Sequence, residues 1–539
     1  MSHFLLTTLC LGTGIATIIA TGAIGRTQTT STTRTVTVGR TVSPLQRGIS
    51  ASDTHAPGDI ARRRHDAIVS RTRGRDRIGA SGAAYEAGRL IVRFKDSSSA
   101  TSRVAALSRI PRTAQPALQS TRPEHANFDI ISIADDEDAE AAAEALRASG
   151  DVEYAQPAYR IQTRFVPNDR FYGRQWNFPL IDLERAWDIQ PSAGSTITVA
   201  VVDTGIAYTD ATITATARAF LDEEGVAYPA LGQMTLRFVA ATELGASSRF
   251  VEPHDFIWND VTPVDLNGHG THVSGTIGQL TNNAQNGIGD TANQGGTAGV
   301  AFNVKLMPVK VIDTAWDVIF GAPRAGTDDV VAQGIRYATD HGANIINMSI
   351  GRTGPSAPVV EDAIRYAVSR GVFVAIAGGN GFDDGNETEV LAEIASRVSG
   401  AVSVAAVDRL KRHAWYSSSG SYIELCAPGG SFDTGSDGGV LQQTLDLDLV
   451  ERFLLPPSQY SAPRFDALGY YYFIGTSQAT PHVSGLAAML MQQGLKSPAV
   501  IEAALEHFAV DLGTPGRDTM YGYGLVDARA TLRGLGLAR

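Results

Sequence analysis

Gly475-Thr476-Ser477-Gln478-Ala479-Thr480-Pro481-His482-Val483-Ser484-Gly485 is the stretch on which the reading of this chain turns. A serine stands between a glycine-led turn and a run, Ala487 to Met491, that reads as a helix. Ser477 is therefore expected at the helix mouth, where backbone N–H groups lack partners and the helix dipole favours negative charge. A nucleophile placed there would form its oxyanion beside ready donors. Pro481 is expected in the first turn, where its missing N–H removes no helical bond. Ser484, Gly485, Ala487 and Ala488 are small enough for close packing on a neighbour. A serine that only caps a buried helix is the plain alternative, so the stretch needs partners from elsewhere in the chain.

The 539 residues suit one large domain with appendages. A composition 43% hydrophobic and 19% charged is that of a soluble globular protein. The net charge of −11 argues against a nucleic-acid partner, which would want a basic surface. Of the two cysteines, Cys10 lies in a segment expected to be removed, so no internal disulfide is expected. Cys426, in an apolar strand without basic neighbours, reads as a buried structural thiol.

Residues 1–24 read as a signal peptide or anchor: an apolar run ends at small residues, Thr21-Gly22-Ala23, suited to cleavage. Only His3 precedes that run in place of a positive segment, which leaves an uncleaved membrane anchor open. Residues 25–84 are Thr- and Arg-rich and are expected to form a disordered, solvated linker, since they hold too little apolar surface for a core. Residues 85–163 read as a small α+β module. Leu90, Val92 and Phe94 alternate with polar residues, 128–133 and 152–161 give further strands, and 138–146 is helical by propensity.

In residues 164–539, apolar runs at 197–202, 304–311, 343–350, 372–377 and 402–407 alternate with helical patterns at 328–341 and 359–369. Such alternation means βαβ units around a buried parallel sheet, and in such sheets the site lies beyond the carboxyl ends of the strands. Asp203 and Asn380 fall at such ends. Acyl transfer by serine needs a base for the hydroxyl proton and a carboxylate to orient that base. His269 is the candidate base, set among glycines in Asn267-Gly268-His269-Gly270-Thr271-His272. A histidine that merely packs its helix is the alternative, and His272, one turn on, reads as buried and structural. Asp203, at the end of Val201-Val202-Asp203-Thr204-Gly205, is the candidate orienter, with a turn-forming role as its alternative. Gly378-Gly379-Asn380-Gly381 offers an amide donor for an oxyanion, or an ordinary Asn-Gly turn.

These four stretches, in the order acid, histidine, serine, resemble the subtilisin-like serine peptidases over roughly residues 165–530. The resemblance extends to Gln175-Trp176 and to Tyr521-Gly522-Tyr523-Gly524. It implies an α/β fold: a three-layer, parallel-sheet catalytic domain at 164–539, preceded by an inhibitor-like propeptide at 85–163. It further implies Ser477 as nucleophile, His269 as general base and then acid, Asp203 as orienter and Asn380 as oxyanion donor. Ser349 and Gly351 would flank an extended substrate on one side, Gly378 and Gly379 on the other. Gln478 stands where methionine is usual and is expected on the leaving-group side. Residues 208–262 and 431–470 read as insertions able to wall the cleft.

The chemistry implied needs no cofactor. Structural calcium, common in the family, is expected at Asn282, Asn283, Asn286 and Asp290, whose oxygens suit that ion; a polar surface loop is the alternative. Asp383, Asp384, Glu387 and Glu389 form either a solvated acidic loop or a preference for a basic residue at the cleaved bond. The resulting expectation is a secreted serine endopeptidase, extracellular or periplasmic, made as a proenzyme and self-cleaved between about Tyr159 and Pro167. Its partners would be polypeptide substrates and its own propeptide, with a membrane only if the N-terminal segment is retained. A catalytically silent binding protein and a transpeptidase on the same scaffold are the alternatives.

Overall fold

The structure, a computed structural model, describes residues 35–38, 76–78, 84–110, 119–160, 165–283 and 296–534. The chain divides into two compact units, one of residues 46–163 and one of residues 164–539 together with 1–45. The proposed signal segment lies outside the described residues. Within the stretch expected to lack structure, two short strands form: β1 (Thr35–Val38) and β2 (Asp76–Ile78). Linker composition did not reveal them because each gains its order by adding its backbone to an existing strand.

In the smaller unit β2 pairs with β3 (Ala84–Phe94), the strand on which the sheet is built. After helix α1 (Ala100–Leu107) come β4 (Gln119–Thr121), β5 (Asp129–Ser132), helix α2 (Ala139–Arg147) and β6 (Val152–Tyr159). Both β5 and β6 pair antiparallel with β3. Alternation on β3 sends Leu90, Val92 and Phe94 inward, where they meet Ile131, Ala142, Ala143 and Leu146. Asp138 caps α2 by accepting the N–H groups of Glu140 and Ala141.

The larger unit is built on seven parallel strands. In chain order these are β7 (Thr198–Asp203), β10 (His254–Asp255), β11 (Lys305–Lys310), β12 (Ile345–Met348), β13 (Phe373–Ala377), β14 (Ala401–Val407) and β15 (Leu425–Pro428); β8 (Ala211–Ala217) and β9 (Gly232–Phe238) intervene between β7 and β10. Their order across the sheet is β10-β11-β7-β12-β13-β14-β15. Every residue of β12, β13, β14 and β15 is buried, as expected of a parallel sheet covered by helices on both faces. Helix α3 (His269–Gly278) packs on the long α6 (Thr476–Gln492), while α4 (Asp328–Asp340) packs on α5 (Pro358–Ser369).

The two stretches read as insertions fold. Residues 208–262 carry the antiparallel pair β8–β9, with β1 on the outer edge of β8. Residues 431–470 lead into a hairpin of β16 (Val440–Leu445) and β17 (Leu468–Phe473). Phe238 of β9 stacks on Phe465 with centroids 4.8 Å apart, and Tyr228 meets Tyr460 edge-on. Aromatic pairing therefore joins the two stretches to each other. Cys426 is fully buried, and burial pushes its thiol well above the ordinary range, as an inert structural thiol requires.

At the β15 edge, helix α7 (Pro498–His507) brings Glu502 and Glu506 against Glu424, with a carboxylate oxygen of each within 4.8 Å of the others. The Ser403 N–H donates to Glu424, and the Ser399 hydroxyl donates to Glu502. Burial, reinforced by the other carboxylates and opposed by Arg517, pushes Glu424 up to about 8; the same causes push Glu506 up to about 7. A carboxyl raised in the folded state binds more protons there than in the unfolded chain, where its pKa is about 4.3. The stability it contributes is complete below that value and is lost as pH rises through 7 to 8. The melting temperature should fall between about pH 5 and about pH 9, and Glu424→Gln should flatten the decline. Thermal melts across that range would refute this if the unsubstituted protein were equally stable at both ends.

Candidate active site

Asp203 ends β7 and is fully buried. Its Oδ1 accepts the Thr204 N–H at 2.7 Å and lies 2.8 Å from His269 Nδ1, while its Oδ2 has no partner among the described residues. Beside a carboxylate, Nδ1 carries the proton, and Nε2 of the neutral ring is left as an acceptor. Burial opposes the imidazolium form of His269, but the nearby Asp203 charge, with Asp265 behind it, outweighs burial and holds the pKa above the ordinary value.

Asp265 was not anticipated from the sequence. It is 1% exposed and collects the N–H groups of Asn267, Gly268 and Thr271 and the hydroxyls of Thr204 and Thr271. It thereby sets the turn that delivers His269. An Asp-x-Asn-Gly turn signal was present in the sequence and could have pointed to it. Gly270 is required by close approach, because a Cβ there would stand 2.2 Å from the Gly205 carbonyl oxygen. His272 is buried, stacks on Phe473 at 4.1 Å and faces the Val440 and Tyr471 carbonyls. Burial lowers its pKa to about 3, in keeping with a structural role.

Ser477 is the second residue of α6, which follows Gly475 at φ +149°, a conformation suited only to glycine. Pro481 is not in the first turn, as expected, but inside the helix. Its ring cannot donate to the carbonyl four residues earlier, which belongs to Ser477. The Ser349 hydroxyl supplies the missing donor at 2.8 Å, and Ser477 Oγ donates in return to the Ser349 carbonyl at 3.0 Å. The Ser477 hydroxyl is thus bonded to Ser349 and not to His269. Behind Ser349, Asn347 donates to its hydroxyl, and Ser484 of α6 donates to Asn347, both fully buried. Asn347 was not singled out from the sequence, because a polar residue in a buried strand carries no periodic signal, and Ser484 was read only as a small packing residue.

Asn380 follows β13. Its Oδ1 accepts both the N–H and the hydroxyl of Thr476 at 2.9 Å, which leaves its Nδ2 free to donate elsewhere. The Gly379 N–H donates to the Thr476 hydroxyl. Ser349 and Gly351 follow β12, and Gly378 and Gly379 follow the adjacent β13. Gln478 differs from expectation. Its side chain is 2% exposed and its Oε1 lies 2.8 Å from where a Cβ on Gly475 would stand, so it folds back under the turn. The stretch read as 431–470 lies behind His269, where Thr444 donates to the Gly268 carbonyl.

Of the expected calcium residues, Asn286 and Asp290 lie outside the described residues. The Asn282 N–H donates to Asp169 Oδ2 at 2.7 Å, and Asn282 Oδ1 accepts the Asn168 N–H. Asp169 Oδ1 and Asn283 Oδ1 are both buried without a partner among the described residues. Burial, with Glu243 adding to it, pushes Asp169 up to about 7. Two orphaned buried oxygens, one from a desolvated carboxyl group and one from an amide, are of the kind a hard cation satisfies. Asp169 was missed because it lies far from the asparagine loop in sequence.

The subtilase family model matches residues 194–524, and a fervidolysin N-terminal prodomain model matches residues 76–158. A thermophilic serine proteinase of Bacillus sp. (strain AK1) is 30% identical over 447 residues, covering 83% of this chain and 87% of that protein. Thermitase of Thermoactinomyces vulgaris is 29% identical over 365 residues, covering 68% of this chain and 98% of its own. A solved protease structure from Pseudoalteromonas arctica is 28% identical, covers 69% of this chain and 99% of its own, and has a TM-score of 0.49. A family match over more than half of the chain, joined to a relative 30% identical over most of both chains, settles the lineage: the chain belongs to the subtilase family, as a serine protease made with an N-terminal prodomain.

Proposed function

We propose that Ser477, His269 and Asp203 carry out peptide hydrolysis in this protease. His269 Nε2 takes the Ser477 Oγ proton as Oγ attacks the scissile carbonyl carbon. Asp203 keeps the tautomer and stabilises the imidazolium that forms. Asn380 Nδ2 and the Ser477 N–H donate to the oxyanion. The imidazolium then protonates the departing amine, and a water deprotonated by His269 hydrolyses the acyl-enzyme. The observation that carries this reading is the 2.8 Å contact between His269 and a buried carboxylate that has no other side-chain donor among the described residues. Before attack, the Ser477 hydroxyl must give up its bond to the Ser349 carbonyl and turn to His269.

Substrate would lie extended between Ser349–Gly351 and Gly378–Gly379, bonded through its backbone. The chain would be secreted through its N-terminal segment and self-cleaved between Tyr159 and Pro167; residues 161–164 of that stretch lie outside the described residues. Among the described residues no helix is long and apolar enough to cross a membrane. Calcium, where bound, would be held by Asp169 and Asn283 with the adjoining loop, tying the start of the larger unit to the segment after α3.

Ser477→Ala should leave the fold intact, lower kcat on the order of 10⁶-fold and accumulate uncut proform. Circular dichroism, peptide assay and electrophoresis together test this, and processed chain in the variant would overturn it. The acid limb of kcat/KM should lie above the ordinary histidine value of about 6.5, since the base form is required. Asp203→Asn should move that limb down and cost about 10⁴-fold in rate; an unmoved limb speaks against the pairing. Chelation should lower the melting temperature of the unsubstituted protein and of Ser477→Ala alike, and Asp169→Asn should shrink the difference between calcium and chelator. Equal melts with and without chelator would exclude the ion.

A further inference from the structure

The four carboxylates after the Asn380 turn divide sharply. Asp383, Asp384 and Glu387 are exposed, as a solvated acidic loop would be, while Glu389 is only 7% exposed. Its side chain reaches the ends of two adjacent strands. Toward β12, the Arg352 N–H donates to its Oε1, and a Cβ on Gly351 would stand 2.3 Å from that oxygen. Toward β13, the Glu389 Cβ lies 3.1 Å from where a Cβ on Gly379 would stand. One side chain therefore closes the gap between the two stretches proposed to flank the substrate.

The carboxyl group lacks a cation. Arg352, the nearest, turns its guanidinium to Asp328, with Nε at 2.8 Å, and no ion pair to Glu389 forms among the described residues. The other titratable neighbour is Tyr422, whose hydroxyl donates to the Gly378 carbonyl at 3.4 Å. Burial, opposed by the Arg352 N–H and charge, pushes Glu389 up to about 7. Buried glutamates are rare unless paired, because a desolvated carboxylate without a counter-charge is unstable. A cation arriving between Gly351 and Gly379 would complete it.

We propose that Glu389 forms the floor of the slot receiving the side chain on the acyl side of the scissile bond, and selects lysine or arginine there. The proposal rests on the substrate path assigned above. A long cationic side chain has the reach and charge to meet a recessed carboxylate, and the bond so formed is charge-assisted and shielded from water. Leucine or phenylalanine would cover the same carboxylate without bringing a counter-charge or a further donor, which disfavours them. A slot merely shortened by Glu389 would instead favour alanine, and that is the competing outcome.

The test begins with the matured enzyme and a fluorophosphonate that labels reactive serines. Absence of label at Ser477 would remove the site reading and this proposal with it. With the labelled fraction known, peptides differing only at the position before the cut are compared. Arginine and lysine should exceed leucine and alanine by about tenfold or more in kcat/KM. Glu389→Gln should collapse that ratio, while the exposed control Glu387→Gln should keep it. Alanine or leucine cleaved as well as arginine by labelled, unsubstituted enzyme would overturn the proposal while leaving the site reading in place. A ratio unchanged in folded Glu389→Gln would overturn it equally.

Discussion

The carbonyl of Ser477 is the point on which the architecture around the site depends. Pro481 deprives it of its helical donor, and a buried carbonyl left unpaired costs roughly 1–3 kcal/mol. The donor comes from Ser349, at the end of a different strand. The requirement is long-range: α6 can begin where it does only if β12 ends beside it. Asn347 and Ser484 extend the same demand inward, so strand and helix are bonded at the helix start and again near its middle. The arrangement places the serine by satisfying the backbone of its own residue, independently of the hydroxyl's chemistry. The hydroxyl is then free to exchange partners without loosening the helix.

The acid–histidine half is built by the opposite means. There a deficit is kept in place: fully buried Asp203 has one oxygen without a donor among the described residues. The Asp203 charge and its hydrogen bond to His269 favour the imidazolium despite burial. Asp265, by contrast, is satisfied on both oxygens and acts as a rigid clasp for the turn. Two buried acids within one small region are thus told apart by their donors. The fully bonded one fixes the turn and adds a smaller share of the field at His269, and Asp203 supplies the larger share.

This division explains which parts were legible in the sequence. The strands of the sheet were readable because burial on both faces leaves uninterrupted apolar runs, and the ends of β7 and β13 then located Asp203 and Asn380. His269 and Ser477 were marked by glycines that close approach requires. Asp169, Asp265, Asn347 and Ser484 were not readable, since each acts through a partner distant in sequence and none has a periodic context. Pro481 was misplaced for a related reason. A proline deep in a helix is tolerated only where a tertiary donor replaces the lost bond, and that donor lay 128 residues away in the chain. Gln478 was placed on the leaving-group side because it follows the nucleophile, whereas its side chain is buried under the Gly475 turn.

The two added stretches bear on the same half of the site. They meet through Phe238 and Phe465, and the second stretch also receives the Trp316 indole N–H on the Val450 carbonyl. Its hairpin covers α3 with Phe473 against His272 and bonds Thr444 to the carbonyl just before His269. An imidazole must accept and return a proton without drifting, and small displacements of such a group are costly to rate. The serine is already fixed by the pairing of β12 with α6. The histidine rides on a short helix rich in glycine, which by itself resists bending poorly. Support concentrated behind α3 therefore goes to the member of the pair with the weaker intrinsic hold.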